Sequence, residues 1–266
     1  MKTWENTIKE YYRFKNIGKN DYTYKKYFDG LFSGWDINKI TKEHIAKARS
    51  GIKGKPGTVN RYLSYFRAIL MYAYEELGWL DSKPIVKRVR EKGNSHKYFS
   101  KEDIDRLVST LPKHLVQPFI FSLLTGVRMS NCFSLQWENV KENQIAIPAE
   151  ETKNGKPLCI PLNSKCKQLL NSIEKTSPYV FTYAGRRIRK ASNTGWYNAL
   201  KKCGLEGFRW HDIRHTWATH HVMNGTPLHT LQHLGGWSDF NIVNRYAHLS
   251  QDYLNDACEN SNSLIS

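Results

Sequence analysis

From Val59 to Leu77 the apolar residues Val59, Leu63, Phe66, Ile69, Leu70, Ala73 and Leu77 return at steps of three and four, so a helix would carry them on one face. One helix cannot cover such a stripe by itself, and together with further helices before it the region makes a small all-helical bundle. The breaker cluster Lys53-Gly54-Lys55-Pro56-Gly57-Thr58 precedes the stripe, with Thr58 expected as the cap, and Gly78 stands near its expected end. Shorter helices are expected around residues 4–15, 22–33 and 41–50.

Residues 81–98 combine Pro84, Gly93 and a dense run of Lys and Arg without a sustained period, as a solvated linker would. The boundary falls there: one domain over 1–82, a basic linker over 83–98, and a second domain over 99–266 whose last part, 251–266, is a tail. Ser100 followed by Asp103 predicts a capping box that opens a helix from Lys101 to about Leu111. An apolar helix is expected from Leu115 to Leu124, broken by Thr125-Gly126, and another from Met129 to about Gln136. Gln144 to Pro148 and Leu158 to Leu162 read as short strands of a hairpin, with Asn154-Gly155 suited to a tight turn. From Lys165 onward the pattern is again mostly helical.

Charge narrows the partners. The chain holds 40 Lys and Arg against 24 Asp and Glu, a formal charge of +16 and a pI near 9.6. Residues 1–95 carry 20 of the cations and 10 of the anions, so the first region is the more basic per residue. A polyanion is the expected partner, bound through counterion release, with nucleic acid foremost; a basic surface that merely aids solubility is the alternative. Lys53, Lys55, Arg61 and Arg67, set among Tyr62 and Tyr65, are the candidate DNA contacts of the helical region.

The five cysteines, Cys132, Cys159, Cys166, Cys203 and Cys258, are odd in number and lack a CxxC pair, which points to a reducing cytoplasm. No apolar run approaches the roughly 18 residues of a membrane span, and the first residues lack a signal peptide's apolar stretch. A cytoplasmic, nucleoid-associated protein with no membrane partner is expected.

Three segments carry the chemistry: Leu124-Thr125-Gly126-Val127-Arg128, His211-Asp212-Ile213-Arg214-His215-Thr216, and Leu234-Gly235-Gly236-Trp237 leading to Arg245-Tyr246-Ala247-His248. In this order they resemble the catalytic half of the tyrosine recombinases of the phage-integrase type, with their TGxR, HxxR, LGH or LGGW and terminal tyrosine. The likeness extends to Leu135-Gln136-Trp137 and to Thr152-Lys153-Asn154-Gly155-Lys156, covering about residues 99 to 250. The basic helical region before it resembles that family's core-binding domain in general pattern only.

The resemblance implies a mainly α chain, with an N-terminal helical core-binding (SAM-like) domain. A mixed, mostly helical catalytic domain with a small antiparallel β-sheet follows, and the two close around duplex DNA. It implies a metal-independent strand transferase with no cofactor, whose nucleophile is Tyr246, with Tyr253 the nearest rival. Arg128 and Arg214 would bind the phosphate's non-bridging oxygens, because guanidinium forks bind phosphate bidentately and stay charged. Lys153, with Lys156 as its rival, would protonate the leaving 5′-oxygen. His211 would shuttle a proton to or from Tyr246 or hydrogen-bond the phosphate. Trp237, where many relatives have histidine, would donate its indole N–H to a phosphate oxygen or simply pack the site. Asn131 stands where many members carry a supporting glutamate, which leaves that role open.

The implied partners are double-stranded DNA, three further copies in a homotetramer on two recombination sites with the tail on a neighbour, and directionality or DNA-bending accessory factors. Phage or mobile-element integration and excision is the expected setting, with chromosome- or plasmid-dimer resolution as the alternative. A separate arm-binding domain is expected to be absent or removed. A non-catalytic DNA-binding protein has no use for the whole set of six residues, and LGGW with Arg-Tyr-Ala-His favours a recombinase over a type IB topoisomerase. The late histidines, His211, His215, His220, His221, His229, His233 and His248, raise a metal-hydrolase reading, but no HExxH and no suitably spaced carboxylates accompany them.

Overall fold

In the computed structural model, which describes residues 1–16, 18, 20–91, 97–152, 155–191 and 194–250, the stripe from Val59 to Ala73 is buried against three shorter helices. These are α1 (Trp4–Phe14), α2 (Asp21–Phe32) and α3 (Lys42–Gly51), and the stripe lies on α4 (Pro56–Glu75). The chain divides into two units, Met1–Asn94 and Ser95–Ser266.

The first unit packs around aromatic rings. Phe28 stacks on Phe66 at 4.4 Å, and Trp4 lies 5.4 Å from Phe66 with its indole N–H donated to Asp29 Oδ1 at 2.9 Å. Buried rings of this size supply much of a small core's apolar burial, and the one polar group among them is paired. Thr58 lies inside α4 and does not cap it; Lys55 precedes the helix without a side-chain cap. The physical reason is Pro56, which has no N–H to satisfy and a φ already suited to the first turn, so the helix starts earlier than the threonine suggests. Leu77 lies beyond the end of α4 and is half-buried.

Part of the expected linker is not solvated. Asn60 on α4 accepts from the Val89 N–H at 2.8 Å and donates to the Val89 carbonyl at 2.9 Å, while Val86 is buried in the first unit's core. Two valines within the basic run, Val86 and Val89, supply the apolar anchors that the dense charge obscured.

In the second unit Ser100 and Asp103 form the expected capping box of α5 (Lys101–Thr110). Then come α6 (Lys113–Thr125), ended by Gly126 at φ 64°, and α7 (Met129–Ser134). Strands β1 (Gln144–Ile147) and β2 (Leu158–Pro161) pair antiparallel, and their last pair, Ile147 with Leu158, leaves residues 148–157 as the connection. Gly155 N–H donates to the Thr152 carbonyl at 3.4 Å within it; Lys153 and Asn154 lie outside the described residues.

Helix α8 (Ser164–Asn171) leads to a second antiparallel pair that sequence reading missed, β3 (Thr182–Tyr183) with β4 (Arg186–Arg187). Its turn, Ala184-Gly185, has positive φ at both residues. Alanine is a poor occupant of such a position, so the turn sends a weak sequence signal.

Four helices complete the unit: α9 (Thr194–Lys202), α10 (His211–Met223), α11 (Leu228–Gly235) and α12 (Phe240–Asn244), followed by a 3-10 turn over Ala247–Ser250. Helix α10 is central, packed against α6, α11 and that terminal turn. The architecture is mainly helical with small antiparallel sheets, as expected. No helix among the described residues is long and apolar enough to cross a membrane.

Candidate active site

Helix α10 carries His211, Arg214 and His215, whose i, i+3 and i+4 spacing puts them on one face. Asp212 holds the start of this helix: its buried carboxylate accepts the Arg209 backbone N–H at 2.7 Å and the Arg209 guanidinium at 3.1 Å.

Arg214 is 3% exposed. One terminal nitrogen donates to the Gly126 carbonyl at 2.6 Å, the other to the Gly235 carbonyl at 2.5 Å, and the guanidinium lies 4.1 Å from the centre of the Trp237 ring. The arginine thus ties the end of α6 to the end of α11. Burial first, and Arg128 second, hold its pKa down to about 9, against an opposing pull from Tyr246, so it stays a cation at neutral pH.

Arg128 follows Gly126 by two residues and precedes α7. It is half-buried, its pKa is lowered by that burial, and its guanidinium has no hydrogen-bond partner among the described residues. The two arginines differ in kind: Arg214 is bound into the scaffold, whereas the fork of Arg128 is uncommitted.

Two glycines explain how Trp217 and Trp237 fit. A Cβ on Gly126 would stand 2.2 Å from Trp217 Cε3, and a Cβ on Gly235 would stand 2.1 Å from Trp237 Cζ3. Gly236 ends α11 in the left-handed region at φ 60°. The paired glycines of Leu-Gly-Gly-Trp therefore do separate work: the first makes room for the indole over Arg214, and the second turns the chain. Substituting Gly235→Ala would favour helix by propensity, yet we expect it to lower stability by about 1–3 kcal/mol through overpacking and to slow any reaction that needs the Arg214 and Trp237 stack. Thermal denaturation checks the first effect; an unchanged midpoint would mean the indole relocates at no cost.

Tyr246 is 2% exposed and packs with Trp217, Val222, Leu231, Trp237 and Val243. Its ring centre lies 6.4 Å from that of Trp237. Its hydroxyl is 2.5 Å from His215 Nδ1. Burial pushes the phenol's pKa up to about 12, with Arg214 and then Arg245 opposing. His211 sits edge-on to His215, ring centres 5.0 Å apart, and is exposed on its outer side. Its pKa is lowered, first by the protein around it and then by Arg214, with Arg209 and Arg128 adding to the effect and Asp212 opposing.

The structure therefore gathers Arg214, Trp237, Tyr246 and His211, with Arg128 close enough to act electrostatically on Arg214 and His211. Lys153 and the rival Tyr253 lie outside the described residues; Lys156 is exposed and its carbonyl accepts from the Thr152 hydroxyl at 2.7 Å. Asn131 is buried and donates to the Glu151 carbonyl at 2.8 Å, while Ser134 donates to the Glu151 carboxylate. These contacts tether the chain two residues before Lys153. No group of three or more His, Cys, Asp or Glu is arranged to hold a metal ion among the described residues.

Sequence reading placed His215 in the second segment but gave it no role, although its position four residues after His211 on a helix was a usable signal. It also missed the cations Arg186, Arg187, Arg189 and Lys190, which form no ion pair among the described residues; Arg187 spans the Phe133 carbonyl, at 2.8 Å, and the Tyr179 ring. In the first unit Lys53, Lys55, Arg61 and Arg67 are all exposed.

Residues 97–252 match the model of the phage integrase family, and the chain belongs to it. It is similar to the integrase of Salmonella phage P22, 32% identical over 232 residues, a match covering 80% of this chain and 60% of that protein. The integrase of Escherichia phage P2 is 28% identical over 222 residues, covering 82% and 63%, and the tyrosine recombinase XerA of Pyrococcus furiosus is 27% identical over 179 residues, covering 63% of each. The chain thus spans about three fifths of the length of these curated relatives. Among solved structures, a lambda integrase dimer bound to a COC′ core site superposes with a TM-score of 0.75 at 16% identity, covering 92% of this chain and 95% of that one. The Tn1549 transposon integrase in complex with a circular intermediate DNA gives 0.75 at 15% identity, covering 96% and 98%. At such identities the likeness is one of fold.

Proposed function

We propose that this chain is a site-specific DNA recombinase of the integrase type, with a core-binding domain in its first unit and a catalytic domain in its second. Tyr246 attacks a backbone phosphorus, forming a 3′-phosphotyrosyl ester and releasing a 5′-hydroxyl, which later attacks the partner strand's ester to complete exchange. The energy of the broken bond is kept in the ester, so no nucleotide cofactor is needed. The observation that carries this reading is the burial of the Tyr246 hydroxyl beside the helix face that presents Arg214 and His211.

Arg128 clamps a non-bridging oxygen with its uncommitted fork, and Arg214 supplies the remaining N–H groups of a fork already held by two carbonyls. Trp237 keeps Arg214 flat and offers its indole N–H to the phosphate, His211 contacts the same phosphate from the exposed side, and Lys153 protonates the leaving oxygen. Four copies on two sites, with residues after Tyr246 docked on a neighbour, would carry the exchange through a Holliday junction; a solved lambda integrase tetramer is bound to such a junction. Accessory proteins would set direction. The phage integrases among the relatives favour integration and excision of a mobile genome, acting on chromosomal DNA in the cytoplasm.

The test is a pool of nicked duplexes with a randomised central segment, in which release of a short strand traps the covalent intermediate. In EDTA we expect an SDS-resistant protein–DNA adduct whose proteolytic fragment contains Tyr246. No adduct, or one mapped to Tyr253, would overturn the assignment.

The surface cations give a second measurement. Arg61→Gln or Arg67→Gln should weaken binding alike on all sequences and reduce the slope of log affinity against log salt by about 1 each. A slope equal to wild type would remove that residue from the DNA contact.

A further inference from the structure

We propose that His215 is a catalytic residue, the group that receives the phenolic proton of Tyr246 as a strand is cut and returns it as the strand is rejoined. The inference rests on Tyr246 being the nucleophile and adds the proton's destination, a role that HxxR alone would give to His211.

The geometry separates the two histidines. His215 Nδ1 is 2.5 Å from the Tyr246 hydroxyl, within direct transfer distance, whereas His211 stands one turn earlier on α10, edge-on to the His215 ring and open to solvent on its outer side. A phenol held up near pKa 12 by burial is a poor nucleophile until its proton has somewhere to go, and imidazole is the side chain suited to take a proton at neutral pH. The nearby carboxylate of Asp212 is occupied by Arg209 at the start of the helix. Arg214, between the two histidines in sequence, stays a cation and cannot accept. Placing the imidazole four residues after His211 thus lets one helical face present phosphate contact, phosphate clamp and proton acceptor in succession.

The step balances as follows. The Oη–H bond of Tyr246 breaks while Oη bonds to phosphorus; the proton passes to His215 Nδ1, giving an imidazolium; the bond from phosphorus to the 5′-oxygen breaks, and that oxygen takes a proton from a separate donor, assigned above to Lys153. In rejoining, the 5′-hydroxyl attacks phosphorus and gives its proton to that donor. The bond from phosphorus to Oη breaks, and the imidazolium proton returns to the phenolate.

Single-turnover cleavage of a nicked duplex selected from the randomised pool by the wild-type chain tests this. His215→Asn keeps a polar atom near Nδ1 without a usable base, and we expect cleavage to fall at least about a hundredfold while DNA affinity stays within about twofold. A second substrate carries sulfur in place of the bridging 5′-oxygen, a leaving group that needs no proton. It should restore cleavage to Lys153→Ala and leave His215→Asn slow.

Cleavage by His215→Asn within about threefold of wild type would overturn the proposal, because hydrogen bonding without basicity would then suffice. Recovery of His215→Asn on the sulfur substrate would overturn it as well, by moving the residue to the leaving-group side. An adduct that survives Tyr246→Phe would remove the nucleophile assignment and this inference with it, so the two failures are told apart by which variant still reacts.

Discussion

Replacing Tyr246 by phenylalanine is expected to abolish the covalent protein–DNA adduct altogether, while DNA affinity remains within about twofold of wild type. The ring is a packing element as well as a carrier of the hydroxyl: it lies among Trp217, Val222, Leu231 and Trp237, and phenylalanine keeps all of that apolar contact. What disappears is one oxygen and its hydrogen bond to His215. Loss of this bond to a partly exposed imidazole costs about 1 kcal/mol, so the variant should fold. A folded, DNA-binding protein that forms no adduct under SDS electrophoresis is the predicted result. Residual adduct at even a few per cent of the wild-type yield would place the reacting oxygen on another residue.

Arg214→Lys should be nearly as damaging to the reaction, and unlike the tyrosine change it should also weaken the fold. A lysine ammonium cannot bridge the Gly126 and Gly235 carbonyls and lie flat on Trp237 at once, so at least one buried carbonyl loses its donor. That omission costs about 1–3 kcal/mol, and loss of the fork at the phosphate costs on the order of a thousandfold in cleavage rate. Arg128→Lys provides the contrast. With no hydrogen-bond partner among the described residues, it should lose about a hundredfold or more in rate yet change unfolding free energy by no more than about 0.5 kcal/mol. Urea denaturation and single-turnover cleavage of both variants together decide the matter. Equal stability losses would mean that Arg214 is no more a part of the scaffold than Arg128.

Much of this was legible from local pattern. The stripe on α4, the capping box at Ser100, the break at Gly126 and the paired strands around residues 148–157 all follow from periodicity and turn chemistry, which act over a few residues. The failures have local causes too. Pro56 displaced Thr58 as the start of α4, and Ala184-Gly185 turned a hairpin with little of the usual residue signal. Val86, buried in the core, and Val89, held by Asn60 through its backbone, docked a stretch that reads as linker.

The site shows the same division. Asn131 reads in sequence as a missing carboxylate; in the fold its amide donates to the Glu151 carbonyl beside the lysine-bearing turn, a task that requires a donor.

The sequence by itself determined most of the helices, the first strand pair and which reactive groups the chain owns, because helix period, capping and turn preference are settled between near neighbours, and because charge and motif order do not depend on packing. Only the tertiary structure decided which of two histidines on α10 reaches the Tyr246 hydroxyl, and which of two arginines is spent on backbone carbonyls. Those choices depend on distances between segments far apart in the chain. Such distances are set when bulky rings such as Trp217 and Trp237 find the space left by glycines at 126 and 235.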